Sequence, residues 1–389
     1  MVLVITSSYP RHERDIAGHF VGKWVRWVRT EGSTWRLYSW RGEGSESRKL
    51  EEGLEMNVVP YGPRSMEGLF YGSGAPENLE ERWWRGLMAG PAMGAMMAAV
   101  ARGILARRPS ALVGHWLVPG GLIARWMGRV FGIPSYVVGH SGGVQMLGRL
   151  PGGVGRWLAQ TVVEAGPVTV PTRTLKEELG ELCEASTVEV APMGYEPAPQ
   201  QAVERRERCL GFLGRLVPIK GLGVVLEAVD RLRREGEDVC LEVVGDGPCR
   251  QRWEGAAGDG VRFLGVRFGE EKWRYLRSWG AVVAPSQRAP RDRHEGLPVS
   301  ILEASSVGTV PLVGAVPGVE EWLGEPRFQR VRPADSPRAW AEAMGRWLER
   351  DGEAVGALRE ASRRRVAALA WPDYGQWWRD WMGMGQTGG

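Results

Sequence analysis

Two carboxylates eight residues apart, Glu295 and Glu303, bracket the segment Glu295-Gly296-Leu297-Pro298-Val299-Ser300-Ile301-Leu302-Glu303. On a continuous helix that spacing is about 12 Å, too long for one acid/base pair on a single bond. It suits opposite ends of an extended ligand such as a sugar nucleotide. Pro298 fits a first helical turn, where its missing N–H costs nothing. The amides of Gly296, Leu297, Pro298's successor Val299 and their neighbours would then project from a helix N-terminus, a place suited to phosphate. Taken alone, the pattern favours a plainer reading, with Glu295 as a cap and Glu303 on the surface. A second loop, Leu213-Gly214-Arg215-Leu216-Val217-Pro218-Ile219-Lys220-Gly221, sets a planar fork and a point charge between two glycines. Arg215 and Lys220 are suited to a diphosphate, although strand-to-helix loops often carry exposed basic residues as well. A third, Gly245-Asp246-Gly247-Pro248, reads as a tight turn. No carboxylate stands where a nucleophile is expected, and Asp292-Arg293-His294 does not form a metal cluster. No metal and no cofactor are expected.

These segments need strands that end beside them. Short apolar runs at 2–6, 35–39, 56–59, 111–114, 136–139, 168–170 and 188–190 alternate with helical patterns at 18–29, 91–107, 120–130, 154–165 and 174–182. The second half repeats the alternation, with strands at 210–213, 240–244, 261–264, 281–284 and 310–313 and helices at 221–235, 268–279 and 298–307. Such alternation is the mark of parallel α/β sheets. The Pro-rich stretch Pro192-Met193-Gly194-Tyr195-Glu196-Pro197-Ala198-Pro199-Gln200-Gln201 reads as a linker. We therefore expect an N-terminal Rossmann-like domain over 1–195, a linker over 196–207 and a second, C-terminal Rossmann-like domain over 208–370. A tail over 371–389 carries Trp371, Tyr374, Trp377, Trp378, Trp381 and Met382 at near-helical spacing, read as an apolar helix packing back on the N-terminal domain. Ligands of doubly wound sheets bind outside the carboxyl ends of the strands, so two such domains would face each other across a central cleft.

Composition narrows the classes. The 389 residues carry 50 basic and 46 acidic side chains, 43% are hydrophobic, and no block of like charge reads as a nucleic-acid arm. Cys183, Cys209, Cys240 and Cys249 are scattered without a CxxC, which argues against a zinc site or a disulfide scaffold and fits a reducing cytoplasm. The first ten residues are too weakly apolar for a signal peptide. The apolar run 87–101 contains Pro91, ends at Arg102, and falls short of the ~20 residues of a membrane span. A soluble, cytoplasmic protein is expected. Residues 88–101 with Arg102, Arg107 and Arg108 read as a helix packed on its sheet, the alternative being peripheral contact with a bilayer at the inner membrane face.

In order and spacing, Gly-Arg-Leu-x-x-x-Lys-Gly at 214–221, Val-Gly-Asp-Gly-Pro at 244–248, Pro285-Ser286 and Glu-Gly-Leu-Pro-x-x-x-x-Glu-Ala at 295–304 resemble glycosyltransferase family 4. The resemblance extends to Ser8-Tyr9-Pro10, Asp15-Ile16-Ala17-Gly18-His19-Phe20-Val21, His115-Trp116-Leu117-Val118-Pro119-Gly120-Gly121, His140-Ser141-Gly142-Gly143 and Pro192-Met193-Gly194. It implies a GT-B fold and a retaining, metal-independent transferase. The donor would be a UDP- or GDP-sugar and the acceptor a glycan or lipid-linked sugar, in surface polysaccharide or glycoconjugate synthesis. Arg215 and Lys220 match the pair that holds the donor diphosphate. Glu303 matches the carboxylate on the ribose hydroxyls, and Glu295 the one at the sugar. Gly296, Leu297, Pro298 and Val299 match the pyrophosphate and sugar contacts, Gly18 the glycine loop near the leaving phosphate, and His140 the histidine at the donor sugar. The family often has an Asp shortly after that histidine, but here Gly142, Gly143, Val144 and Gln145 follow. His115 reads equally as a family feature or a satisfied structural residue. Two rival readings remain, a nucleotide-sugar epimerase on the same fold and a non-catalytic nucleotide-sugar-binding scaffold, the latter favoured by the departure at His140.

Overall fold

The computed structural model describes residues 1–11, 15, 18–71, 75, 78–79, 82–288, 294–324 and 329–384. Ile16 and Ala17 of the first glycine loop, Asp292, Arg293 and the last five residues of the tail lie outside the described residues. The chain divides into two compact units, Met1–Pro192 with Gly375–Gly389, and Met193–Tyr374.

The first unit is built on β1 (Val2–Thr6), β2 (Trp35–Trp40), β3 (Arg48–Glu51), β4 (Leu54–Val59), β5 (Ala111–His115), β6 (Ser135–Val138), β7 (Val168–Val170) and β8 (Glu189–Val190). They form one sheet in the order β3-β4-β2-β1-β5-β6-β7-β8. Every residue of β1 and β5 is buried, as a parallel strand covered on both faces requires. Only β3 runs antiparallel, on β4. Its sequence, Arg-Lys-Leu-Glu, lacks an apolar run, and it survives as a polar edge strand because the hairpin partner supplies the pairing. The tail helix Trp371–Trp381 contributes its later residues to this unit. Trp378 is fully buried with its ring 5.6 Å from that of Trp24, and Arg379 donates to the Trp27 carbonyl at 2.9 Å.

β9 (Arg206–Leu213), β10 (Cys240–Val244), β11 (Val261–Gly265), β12 (Trp279–Ala284), β13 (Val310–Val313) and β14 (Gln329–Arg330) form the sheet of the second unit, ordered β11-β10-β9-β12-β13-β14 and parallel throughout. A core of Leu210, Phe212, Leu226, Val229, Leu241, Val243, Trp340 and Met344 packs its helices against it. One carboxylate lies inside this apolar frame. Glu242 accepts from Arg206 at 2.5 Å, Arg262 at 2.5 Å and the Trp279 indole at 2.8 Å. Burial alone would raise its pKa, but these bonds and the two guanidinium charges outweigh it and hold the carboxyl below its ordinary value.

Three expectations are corrected here. Cys209 and Cys240 form a disulfide, because the parallel register of β9 and β10 places them directly opposite, Cα to Cα 4.6 Å. The apolar helix is longer than its charge-free core. Trp83–Ala106 spans 24 residues with a window of mean hydropathy 1.3, enough by length and composition to cross a membrane, and a third of that window is buried. The helix after Glu295 begins only at Val299, with Pro298 extended at its N-cap, so Glu295 and Glu303 do not share one helix.

Candidate functional site

In the second unit the strand order reverses between β9 and β12, the place where a doubly wound sheet opens a crevice at its carboxyl edge. The loop after β9 carries Arg215 and Lys220, and the loop after β12 carries Ser286 and Glu295. Gly221 lets the first loop turn into its helix. Its φ is +63°, and a Cβ there would stand 2.1 Å from the Pro285 carbonyl oxygen, so the two loops meet backbone to backbone. Leu216 N donates to Asp246 O at 2.9 Å, which seats the Gly245-Asp246-Gly247 turn against the same loop.

That approach brings Lys220 Nζ to 2.6 Å from Glu295 Oε1, both side chains less than a fifth exposed. The Ser286 hydroxyl donates to the other oxygen of Glu295. His294, 3% exposed, has Nδ1 3.1 Å from the Glu295 carbonyl oxygen. Lys220, Ser286, Glu295, Pro298 and Ser300 line a shallow depression floored by β9 and β12. Among the described residues no side-chain hydrogen bond caps the helix Val299–Ser306 at this end, and Ile301 N donates to the Pro298 carbonyl at 3.0 Å. Gly296 is buried, and its carbonyl accepts from Gly318 N at 3.2 Å. Leu297, Pro298 and Val299 are half-buried around it.

Glu303 is 5% exposed and belongs to no surface. Its Oε1 lies 2.7 Å from Lys272 Nζ, on the helix Gly269–Ser278, and that ammonium also sits 4.5 Å from the centre of the Trp273 ring. Arg215 is half-buried in its loop and does not line the pocket. Sequence reasoning missed Lys272 altogether, since a lone lysine in a polar helix gives no signal.

The first unit gathers a different cluster at the ends of β1, β5 and β6. Gly18 has φ +64°, and a Cβ would reach within 2.2 Å of Ser8 O, so only glycine permits the start of the helix His19–Val28 against the β1 loop. Phe20 from that helix lies 4.9 Å from the His140 ring and 5.7 Å from Trp116. His140 Nε2 is 3.2 Å from His115 Nδ1. His115 is fully buried, 4.8 Å from the Trp24 ring, and its Nε2 has no hydrogen-bond partner among the described residues. Burial holds both imidazoles below their ordinary value, and at His115 the neighbouring His140 adds to the effect. Both rings are therefore neutral near pH 7, with one N–H between them. Among the described residues no group of three His, Cys, Asp or Glu could hold a metal ion.

Residues 207–350 match the family described as Glycosyl transferases group 1. Amylovoran biosynthesis glycosyltransferase AmsK of Erwinia amylovora is 28% identical over 194 residues, covering 47% of each chain. A D-inositol 3-phosphate glycosyltransferase of Corynebacterium urealyticum is 26% identical over 198 residues, 46% of this chain and 45% of that one. The chain spans about half the length of these curated relatives. Sucrose-phosphate synthase from Thermosynechococcus elongatus matches in structure with TM-score 0.74 at 19% identity, over 98% of this chain and 99% of that one. HepE from Anabaena, solved in complex with UDP and glucose, matches with TM-score 0.70 at 14% identity and the same coverage. At such identities the likeness establishes the fold, which is GT-B.

Proposed function

Residues 207–350 belong to the group 1 glycosyltransferases, and from that premise we propose that the protein transfers a sugar from a UDP- or GDP-sugar to a glycan or lipid-linked acceptor. The product would serve surface polysaccharide or glycoconjugate synthesis. The observation that carries the reading is the Lys220–Glu295–Ser286 constellation beside an uncapped helix start at the switch point of the second sheet. A neighbour in fold, HepE, was solved with UDP and glucose, which supports a nucleotide-sugar donor.

In this reading the bond from the anomeric carbon to the diphosphate oxygen breaks, and its electron pair leaves with the diphosphate. Lys220, Arg215 and the amides around Val299 stabilise the charge that grows there. Glu295 holds Lys220 in place before the ligand arrives and contacts the sugar. Glu303, fixed by Lys272, accepts hydrogen bonds from the ribose hydroxyls. To His140 and the Gly18 loop we assign the donor sugar and the leaving phosphate, on the motif resemblance. The acceptor hydroxyl forms the new bond with retention, and its proton passes to a donor phosphate oxygen. No metal is assigned.

Thermal-shift screening against UDP- and GDP-sugars, followed by measurement of nucleotide release with and without acceptor, tests the proposal. Acceptor-stimulated release is expected. Tight donor binding without release under any acceptor would leave a binding scaffold, and no donor binding would sink both.

A further inference from the structure

A second pocket in the same unit lies apart from the donor residues. It is open, about 300 Å³, and lined by Tyr195, Pro197, Ala198, Arg277, Ser306, Val307 and Arg363. Its two cationic side chains come from different helices, Gly269–Ser278 and Gly352–Val366.

The surrounding charges do not balance in the usual pairwise way. Arg205 is spent on backbone and hydroxyl oxygens, with bonds to Trp279 O, Thr309 Oγ1 and Val307 O at 2.5, 2.8 and 3.1 Å. Arg359 takes both oxygens of Glu207, at 3.0 and 2.6 Å. Glu360 is shared between Arg363 and Arg364 at 3.4 and 3.2 Å. Arg363 also donates to Val307 O at 3.3 Å. Arg277, unlike Arg205, Arg359 and Arg363, has no hydrogen bond or ion pair among the described residues, although Arg359 Nε is also buried without a partner. The Nη1 of Arg277 is buried without a hydrogen-bond partner among the described residues. Burial lowers its pKa, and the like charge of Arg363 lowers it further. Glu196, between Tyr195 and Pro197 in the chain, does not line the pocket.

A buried guanidinium nitrogen without an acceptor is costly to maintain, because the desolvation of a charged donor is not offset. Two guanidinium forks at one pocket wall are a common means of holding a doubly charged, multi-oxygen anion. We propose that this pocket binds a phosphate group, gripped by Arg277 and Arg363. The assignment is independent of the donor site, since none of the residues of the Lys220 pocket lines this one.

The test uses the full chain and inorganic phosphate, followed by calorimetric titration. Saturable binding is expected, weakened on the order of tenfold or more in Arg277→Gln, the loss of one charge-assisted bond. Lys220→Ala should leave it unchanged. Arg277→Lys, which keeps the charge but not the fork, guards against misfolding and should bind at an intermediate level. Because Arg277 is half-buried and its Nη1 has no partner among the described residues, Arg277→Gln should not lower the melting temperature without ligand. Co-sedimentation with vesicles containing phosphatidic acid identifies the source. Sedimentation lost in Arg277→Gln assigns the phosphate to a lipid headgroup, and none with vesicles assigns it to a soluble ligand. Absence of saturable phosphate binding, or binding lost in Lys220→Ala and kept in Arg277→Gln, would overturn the proposal.

Discussion

Lys272 and Glu303 make the strongest demand on the donor-site reading, because a stability experiment and a binding experiment on the same pair must agree. Their side chains are 12% and 6% exposed and 2.7 Å apart. Lys272→Met leaves a carboxylate buried beside a neutral side chain, which should cost about 3 kcal/mol, the low end for breaking a buried pair. In a domain of this size that corresponds to a fall in Tm of ~6–12 °C. Glu303→Gln should cost less, since the ammonium keeps the face of Trp273 at 4.5 Å. The double variant should recover part of the loss, and denaturant unfolding of all four proteins gives a coupling energy of about 1–3 kcal/mol. Binding adds the functional axis. Titration with a nucleoside diphosphate should show Glu303→Gln weakened on the order of tenfold, the value of one hydrogen bond to a charged group. Inorganic pyrophosphate, which has no ribose, should bind that variant as it binds the natural protein. If pyrophosphate affinity falls as far as nucleotide affinity, or if the coupling energy is near zero, Glu303 is not a ribose ligand held by Lys272.

Lys220→Ala should lower turnover on the order of a hundredfold, by analogy with removal of one oxyanion donor, while Glu303→Gln mainly raises the donor KM. Equal effects on turnover in steady-state kinetics would return both residues to a structural role. Glu242 is held below its ordinary pKa, so the stability it contributes is present above the unfolded value and is lost as pH falls toward the folded one. Urea unfolding from pH 6 to pH 3 should therefore show a steeper decline in the natural protein than in Glu242→Gln. Transfer activity should survive EDTA, as the described residues offer no cluster of metal ligands; loss restored by Mn²⁺ would reveal a metal site.

What was legible in the sequence was what is local. Apolar runs of three to five residues located every strand but β3 and β14, and loops rich in Gly, Arg and Lys marked where those strands end, because both signals are written in neighbouring residues. Arg215 and Lys220, or Glu295 and Pro298, could be read as loops of chemical interest for the same reason. Partnerships could not. Lys220 meets Glu295, and Lys272 meets Glu303, only through the packing of elements far apart in the chain. The same holds for Cys209 and Cys240, whose pairing depends on the register of two parallel strands. Local pattern also misplaced Glu303 on a surface, since a carboxylate near a helix end reads as solvated until its buried lysine is seen. The burial of His115 between Trp24 and His140 was likewise invisible to local pattern.

The two helices that fix Glu303 also build the arginine pocket. Gly269–Ser278 carries Lys272 near its start and Arg277 near its end; Val299–Ser306 begins beside Pro298 and Ser300 and ends at Ser306. One packed pair of helices therefore presents a cation and uncapped amides at one end and a guanidinium at the other. Shared helices do not by themselves make the pockets communicate. A ligand at Arg277 can alter donor binding only if it binds two arrangements of these helices with different affinity. A rigid pair would give two independent sites, and the Lys272–Glu303 bridge, buried and bracing one helix to the other, is the feature that favours rigidity. Loosening that bridge is thus the change under which the two pockets would first become able to sense each other.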